Sequence, residues 1–285
     1  MSAVCRPAGT RASLRPMFER RLVLESMRTL SCRYFVMEYR CSDIAAASLP
    51  GHFVMISVTD AIDPLLRRPM AIYRIVREAG AAVGFTLLVE RTGRGTTLMA
   101  NARPGDVTDV LGPLGSPFRL PPPEVARDEE DLLVMGGVGA APFPLLAEAL
   151  GARGARVRAF VGGRTREDLL CLGDFEELGV PVHVATDDGS AGHHGFVTGA
   201  LQEHLQRAAG RPRIYSCGPT PMMRAVDEVA ARHCCAHQVS LEAPMACGIG
   251  VCLSCVVPIE HGDTWVYRRI CREGPVFDAA TLGWR

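Results

Sequence analysis

Four cysteines near the carboxyl end are spaced to act as one unit. Cys247, Cys252, Cys255 and Cys271 form the pattern Cys-x4-Cys-x2-Cys-x15-Cys. Four and then two intervening residues, with a distant fourth thiol, is the plant-type arrangement for a [2Fe–2S] cluster. Such a loop must wrap the cluster closely while its N–H groups point at the sulfides. Gly248 and Gly250 permit this, because glycine accepts positive φ and lets backbone approach. Zinc held by four thiolates is the alternative, although zinc sites more often use paired Cys-x2-Cys knuckles. Colour separates the two, since a zinc–thiolate protein is colourless.

Two glycine-bearing turns suit a nucleotide. Leu132-Leu133-Val134-Met135 is a short apolar strand, followed by Gly136-Gly137-Val138-Gly139-Ala140-Ala141-Pro142 and a helix running to about Leu150. A helix start offers free N–H groups and partial positive charge to a pyrophosphate. The motif is Gly-x-Gly-x-x-Pro rather than the full dinucleotide fingerprint, and a tight turn without ligand would read the same. Cys217-Gly218-Pro219 adds weight, because it follows the strand Ile214 to Ser216. A doubly wound sheet binds ligands at the carboxyl ends of its strands. The nucleotide candidates are therefore Gly136, Gly137, Gly139, Cys217, Gly218 and Pro219.

Upstream lie Leu66-Arg67-Arg68-Pro69-Met70-Ala71-Ile72-Tyr73 and Gly93-Arg94-Gly95-Thr96-Thr97. An arginine could hold a phosphate by a charge-assisted bond. The Gly-Thr loop could add N–H groups and hydroxyls to the same phosphate. Read singly, each is a solvated turn. Together, ahead of a nucleotide segment and a cysteine tail, they suggest a flavin nucleotide.

Three segments must position these residues. Over 21–120, short alternating runs such as Phe53 to Val58 and Gly84 to Val89 predict an antiparallel barrel or sandwich. Pro121-Pro122-Pro123 and the acidic stretch after it predict a linker. Over 130–236, strands at Val157 to Val161, Val182 to Ala185 and Ile214 to Ser216 alternate with helices at Val197 to Ala208 and Pro221 to Arg232, which predicts a doubly wound parallel α/β sheet. The remaining 241–285 is too small for a generous core and needs a staple, which the cysteines supply. Residues 1–20 are expected to be disordered or extended.

Composition narrows the field. The 285 residues carry 31 basic and 31 acidic side chains, which offers no attraction for nucleic acid or an anionic membrane. No apolar run is long enough to span a bilayer, and the arginine-rich start has no apolar core of a secretory signal. Eleven cysteines, an odd number without such a signal, predict a reducing compartment. No catalytic acid–base pair or nucleophile stands out, which fits a relay in which cofactors carry the chemistry.

The order of these motifs resembles the ferredoxin–NADP reductase superfamily. Val110-Leu111-Gly112-Pro113-Leu114-Gly115, Thr186-Asp187-Asp188-Gly189-Ser190, Met245 to Cys252 and Cys271-Arg272-Glu273-Gly274-Pro275-Val276-Phe277 narrow the resemblance. From about residue 21 onward the chain is similar to the electron-transfer subunits of NAD-dependent dihydroorotate dehydrogenases. The resemblance implies FAD under the barrel, NAD in the α/β domain and one [2Fe–2S] cluster. It places Arg68 and Pro69 beside the flavin phosphates, Gly95 and Thr96 at the pyrophosphate, and Met70, Ala71, Leu88, Val89 and Glu90 along the flavin. It sets Cys217 near the nicotinamide. It also implies a partner subunit with FMN that oxidises dihydroorotate in pyrimidine biosynthesis, a heterotetramer of two plus two chains, and a cytoplasmic location.

The chain departs from the pattern in two places. Ala71 stands where the family usually has Ser, and Val89-Glu90 replaces an aromatic–basic pair. Two other readings stay open: a subunit of an electron-bifurcating ferredoxin–NADP reductase, and a free-standing NADH-dependent reductase. Cys247 favours the dihydroorotate reading, because the bifurcating enzymes commonly carry aspartate there. Arg164 and Arg166 follow the second parallel strand and could favour a 2′-phosphate, leaving NAD against NADP open.

Overall fold

The computed structural model describes residues 16–59, 61–126, 129–208, 210–262 and 264–284. The bulk of the expected unstructured start therefore lies outside the described residues, while Phe18 to Arg20 already belong to a strand.

Six antiparallel strands close into a barrel: β1 (Phe18–Thr29), β2 (Tyr34–Arg40), β3 (Phe53–Ile56), β4 (Arg68–Glu78), β5 (Ala81–Glu90) and β6 (Val107–Leu114). Their order is β1-β2-β5-β4-β3-β6, with β6 returning to pair with β1. Closure removes free edges. Inside, Leu24, Ile56, Ile72, Phe85, Leu87 and Val110 are fully buried, and Tyr39 stacks on Phe85 at 5.9 Å. Aromatic and branched side chains at alternate positions fill a barrel of this size without a lumen.

Parallel strands follow: β7 (Glu130–Gly136), β8 (Arg156–Gly163), β9 (Val182–Thr186), β10 (His193–His194), β11 (Arg213–Cys217) and β12 (His237–Ser240). The sheet order β10-β9-β8-β7-β11-β12 runs outward from β7 in one direction and then in the other. The chain thus reverses between β7 and β11, which opens a crevice at their carboxyl ends. Leu132 to Met135 of β7 are buried on both faces. Leu133 and Met135 pack towards the helix Phe143–Gly151 and the barrel residues Tyr34, Tyr73 and Leu88. Leu132 and Val134 pack towards the helices Val197–Arg207 and Thr220–Arg232.

The carboxyl segment leaves β12 through a cysteine-bearing loop and a hairpin, β13 (Val256–His261) with β14 (Thr264–Arg269). It then returns. β15 (Val276–Asp278) adds to the edge of the α/β sheet, antiparallel to β12. The segment 241–285 is therefore fastened at both ends to the nucleotide sheet, and its Ser116–Pro275 bridge ties it to the chain leaving the barrel. Among the described residues no helix is long and apolar enough to cross a membrane.

Candidate functional site

Two adjoining cavities occupy the seam between the barrel and the sheet. The first, about 450 Å³, is walled on the barrel side by Pro69, Met70 and Ala71 of β4, by Leu88, Val89 and Glu90 of β5, and by Thr96. Opposite stand Cys217, Ser240, Leu241, Glu242 and Met245. The second, about 710 Å³, is lined by Gly136, Gly137, Gly139, Gly218 and Pro219, with Arg33, Arg164, Asp187 and Phe196 around its mouth. Glu90, Val138 and Glu242 line both, so the cavities meet there.

Seven of the nine flavin candidates from the sequence thus line one cavity, while Arg68 and Gly95 are not among its lining residues. Arg68 and Gly95 touch each other: a Cβ on Gly95 would lie 2.5 Å from the Arg68 Nε. Arg68 donates to the Leu66 carbonyl and has no acidic partner among the described residues, whereas Arg67 is paired with Glu19. Thr96 Oγ1 accepts from the N–H groups of Thr92 (2.9 Å) and Gly93 (3.2 Å), which fixes the loop shape. The apolar trough suits an isoalloxazine ring, and a guanidinium with no acidic partner among the described residues suits a phosphate.

The nucleotide candidates assemble at the sheet reversal. Met135 and Cys217 are register partners on β7 and β11, so the two turns that follow them stand side by side. Gly139 is required for this approach, since a Cβ there would lie 2.6 Å from the Cys217 carbonyl oxygen and from Gly218 Cα. Cys217 itself faces the barrel-side cavity rather than the nucleotide cavity. It is 2 % exposed, and burial followed by the charge of Glu242 pushes its thiol well above the usual range. A neutral, unreactive thiol results.

Sequence motifs miss several residues at the seam. Arg33, in the turn between β1 and β2, pairs with Glu90 and, at 2.6 Å, with Asp168 across the domain boundary. Tyr34 Oη donates to the same Asp168 oxygen at 3.0 Å. Glu90, one of the two departures from the family pattern, thus pairs within the barrel with the arginine that reaches Asp168 across the boundary. Of the two basic residues weighed for a 2′-phosphate, Arg166 is committed to the Ser190 carbonyl at 2.7 Å. Arg164 lines the nucleotide cavity, but so does the carboxylate of Asp187.

The cysteine loop packs against the barrel. Gly248 adopts φ +71°, and a Cβ there would meet Met55 Cγ of β3 at 2.4 Å. Cys247 Sγ accepts from the N–H groups of Val251 (3.4 Å) and Cys252 (3.5 Å), and Cys255 Sγ accepts from the Cys271 N–H at 3.4 Å. The Cys252 thiol is lowered to about 6 by the Ser254 hydroxyl and N–H and by Cys247, so it forms thiolate readily. Burial and the neighbouring Cys255 raise Cys271 to about 12. Among the described residues no three potential ligands converge on one metal position. Contacts link Cys252 to Cys247 and Cys271 to Cys255, and two thiolates per iron is what a binuclear cluster would take from this set.

Comparisons with known proteins agree with this geometry. Residues 242–283 match the iron–sulfur cluster binding domain of dihydroorotate dehydrogenase B, and residues 133–228 match the oxidoreductase NAD-binding domain. The chain is 42 % identical to the dihydroorotate dehydrogenase B (NAD(+)) electron transfer subunit of Shouchella clausii, covering 81 % of this chain and 85 % of that one. It is 36 % identical to the protein of the same name from Desulforamulus reducens, covering 88 % and 92 %. A solved NADH-dependent reduced ferredoxin–NADP oxidoreductase superposes with a TM-score of 0.79 at 27 % identity, covering 92 % of this chain and 90 % of that one. A ferredoxin reductase of carbazole 1,9a-dioxygenase shares the fold, with a TM-score of 0.60 at 24 % identity. The identity to these electron transfer subunits over most of both chains, with the match over the cysteine domain, shows that the chain belongs to the family of electron transfer subunits of NAD(+)-dependent dihydroorotate dehydrogenase B.

Proposed function

We propose that this chain receives electrons one at a time at Cys247, Cys252, Cys255 and Cys271 and delivers them in pairs to NAD⁺ by way of FAD. The observation that carries the reading is the meeting of two cavities and a cysteine loop at one seam. Glu242 lines both cavities and stands five residues before Cys247. FAD supplies the conversion between single-electron and hydride chemistry. The protein's residues position and insulate it. Pro69 to Ala71 and Leu88 to Glu90 form the flavin trough, and Arg68 with Gly95 and Thr96 forms the phosphate end. The Gly136–Gly139 and Cys217–Pro219 turns hold the nicotinamide nucleotide across the crevice. Asp187 in that cavity, with Arg166 tied to Ser190, favours NAD over NADP, because a carboxylate repels a 2′-phosphate.

The electron source in this reading is an FMN-containing subunit that oxidises dihydroorotate, assembled with this chain two plus two in the cytoplasm. Ten described cysteines as free thiols support a reducing compartment. The partner docks beside the cysteine loop, where Val251 (75 % exposed), Leu253, Trp265 and Tyr267 present apolar surface to solvent. An activity assay with and without that subunit tests the proposal. The chain alone should oxidise NADH with an artificial acceptor and leave dihydroorotate untouched, while the pair should reduce NAD⁺. Dihydroorotate turnover by the single chain would overturn the relay.

A further inference from the structure

This inference rests on reading the two cavities as flavin and nicotinamide sites, and concerns what holds them in register. The flavin trough comes from β4 and β5 of the barrel, whereas the nucleotide turns come from the parallel sheet. Hydride transfer needs reacting atoms about 3–3.5 Å apart, and a misplacement of about 1 Å can cost roughly a hundredfold in rate. Tyr34, Tyr73 and Leu88 of the barrel share one apolar cluster with Phe143 and Leu146 of the other half. Apolar contact is non-directional and does not by itself prevent a small slide. Paired charges with hydrogen bonds fix direction as well as distance.

Ion pairs cross the boundary in more than one place. Arg74 meets Asp174 at 2.8 Å and Arg77 meets Glu148 at 3.5 Å, but none of these four residues lines either cavity. Arg33 differs. Arg33 and Glu90 of the barrel and Asp168 of the other half all line the nucleotide cavity, and Glu90 stands where the two cavities meet. One guanidinium pairs with Glu90 on its own side and, at 2.6 Å, with Asp168 on the other. The Asp168 side chain is only 7 % exposed and also accepts from Tyr34 Oη at 3.0 Å. It has no slack behind it, since a Cβ on Gly163 at the end of β8 would lie 2.8 Å from Asp168 Cβ. Arg164 stands 3.9 Å from Asp168, but it belongs to the same half and ties nothing across the boundary.

We propose that Arg33 is a positioning residue for hydride transfer, which by bridging Glu90 and Asp168 sets how closely the nicotinamide approaches the flavin. Its charge is already engaged by two carboxylates, so its work is at the boundary rather than on a nucleotide phosphate. Without it, Glu90 and Asp168 face the same gap with no cation between them, and a carboxylate buried without its partner is strongly unfavourable. The junction of the cavities then relaxes apart, while the turns that hold the nucleotide and the trough that holds the flavin stay intact.

The test uses protein loaded with FAD and cluster, as wild type, Arg33→Ala, Arg33→Lys, Arg77→Ala and the double variant Arg33→Ala with Glu90→Arg. Glu90 and Asp168 share one guanidinium, so a cation on residue 90 can reach Asp168 and restore the tie without Arg33. Stopped-flow reduction by NADH gives the limiting rate and the half-saturating concentration. The long-wavelength absorbance of flavin stacked on nicotinamide reports their contact independently of turnover. In Arg33→Ala the limiting rate should fall about ten- to a hundredfold and the band should weaken, with half-saturating NADH shifted less than about threefold. Arg33→Lys keeps the charge but not the fork that spans two carboxylates, and should fall between. The double variant should recover most of the rate and the band, and Arg77→Ala should change neither. A raised half-saturating concentration at an unchanged limiting rate would make Arg33 a nucleotide contact and overturn the proposal. A band of wild-type strength in Arg33→Ala, a double variant no faster than Arg33→Ala, or equal slowing in Arg77→Ala would overturn it too. Wild-type protein that takes up no flavin would instead overturn the reading beneath it.

Discussion

The two ends of the parallel sheet treat charge in opposite ways. At the amino ends of β7 and β11 the described acids Glu129, Glu130 and Asp131 each have a base. Arg213 binds both oxygens of Asp131 at 2.7 and 3.0 Å and reaches Glu129 at 2.7 Å. Glu130 is held by Arg158 at 2.9 Å and by His204 at 2.7 Å. At the carboxyl ends lie open cavities, Glu242 with no basic partner among the described residues, and a chain leading into four thiols. Arg68, on the barrel side of those cavities, has no acidic partner among the described residues, although it is the same residue type as Arg213. One end is satisfied without a ligand; the other is completed only by one. Groups left unpaired in a well-paired protein mark where something else binds.

The sharpest way to separate the two ends is to remove a thiol. Cys252→Ser should abolish the cluster while keeping flavin at the wild-type ratio, because the barrel has its own buried core. Iron, sulfide and flavin per chain measure this, and parallel loss of flavin would show that the cysteine loop and barrel stand or fall together.

Arginines test the comparison at the next level. Arg213→Ala leaves Asp131, whose side chain is fully buried, without its partner, and should lower stability by about 3–5 kcal/mol. Flavin content of the folded fraction should not change. Arg68→Ala should do the reverse, weakening FAD by about ten- to a hundredfold, or roughly 1.5–3 kcal/mol, with the urea midpoint of the flavin-free protein held. Arg67→Ala should cost less flavin affinity, since Arg67 is tied to Glu19. Equal losses from the two neighbours would assign the phosphate contact elsewhere.

How far the sequence reveals these ends depends on how local their signals are. The cysteine spacing, the two glycine turns and the apolar strand Leu132 to Met135 are each contained in a few consecutive residues, and each lies where the pattern predicts. The seam is different. Arg33 and Asp168 are 135 positions apart, and neither belongs to a motif. Their meeting follows from how the barrel packs on the helix Phe143–Gly151, which no short window encodes. Glu242 carried one faint signal, an acid between a strand end and a cysteine loop. The return of Val276–Asp278 to the sheet was also hidden, because three residues are too few for a period-2 pattern to register.

The smallest effect lies at the amino end and depends on pH. Burial alone would raise the Glu130 carboxyl, but hydrogen bonds from His204 and Arg158 outweigh it and hold the group below its ordinary value. A carboxyl lowered in the folded state stabilises the protein above its unfolded pKa, near 4.3, and that contribution disappears as pH falls through the folded value. Glu130→Gln keeps the shape and removes the charge. It should cost on the order of 1 kcal/mol at pH 7, because the pair is only partly screened by solvent. The gap between mutant and wild type should then close on acidification below about pH 4. Urea midpoints at pH 7 and at acid pH read this directly. A gap of the same size at both would mean that Glu130 acts through packing, and that the amino end owes its stability to shape rather than to paired charge.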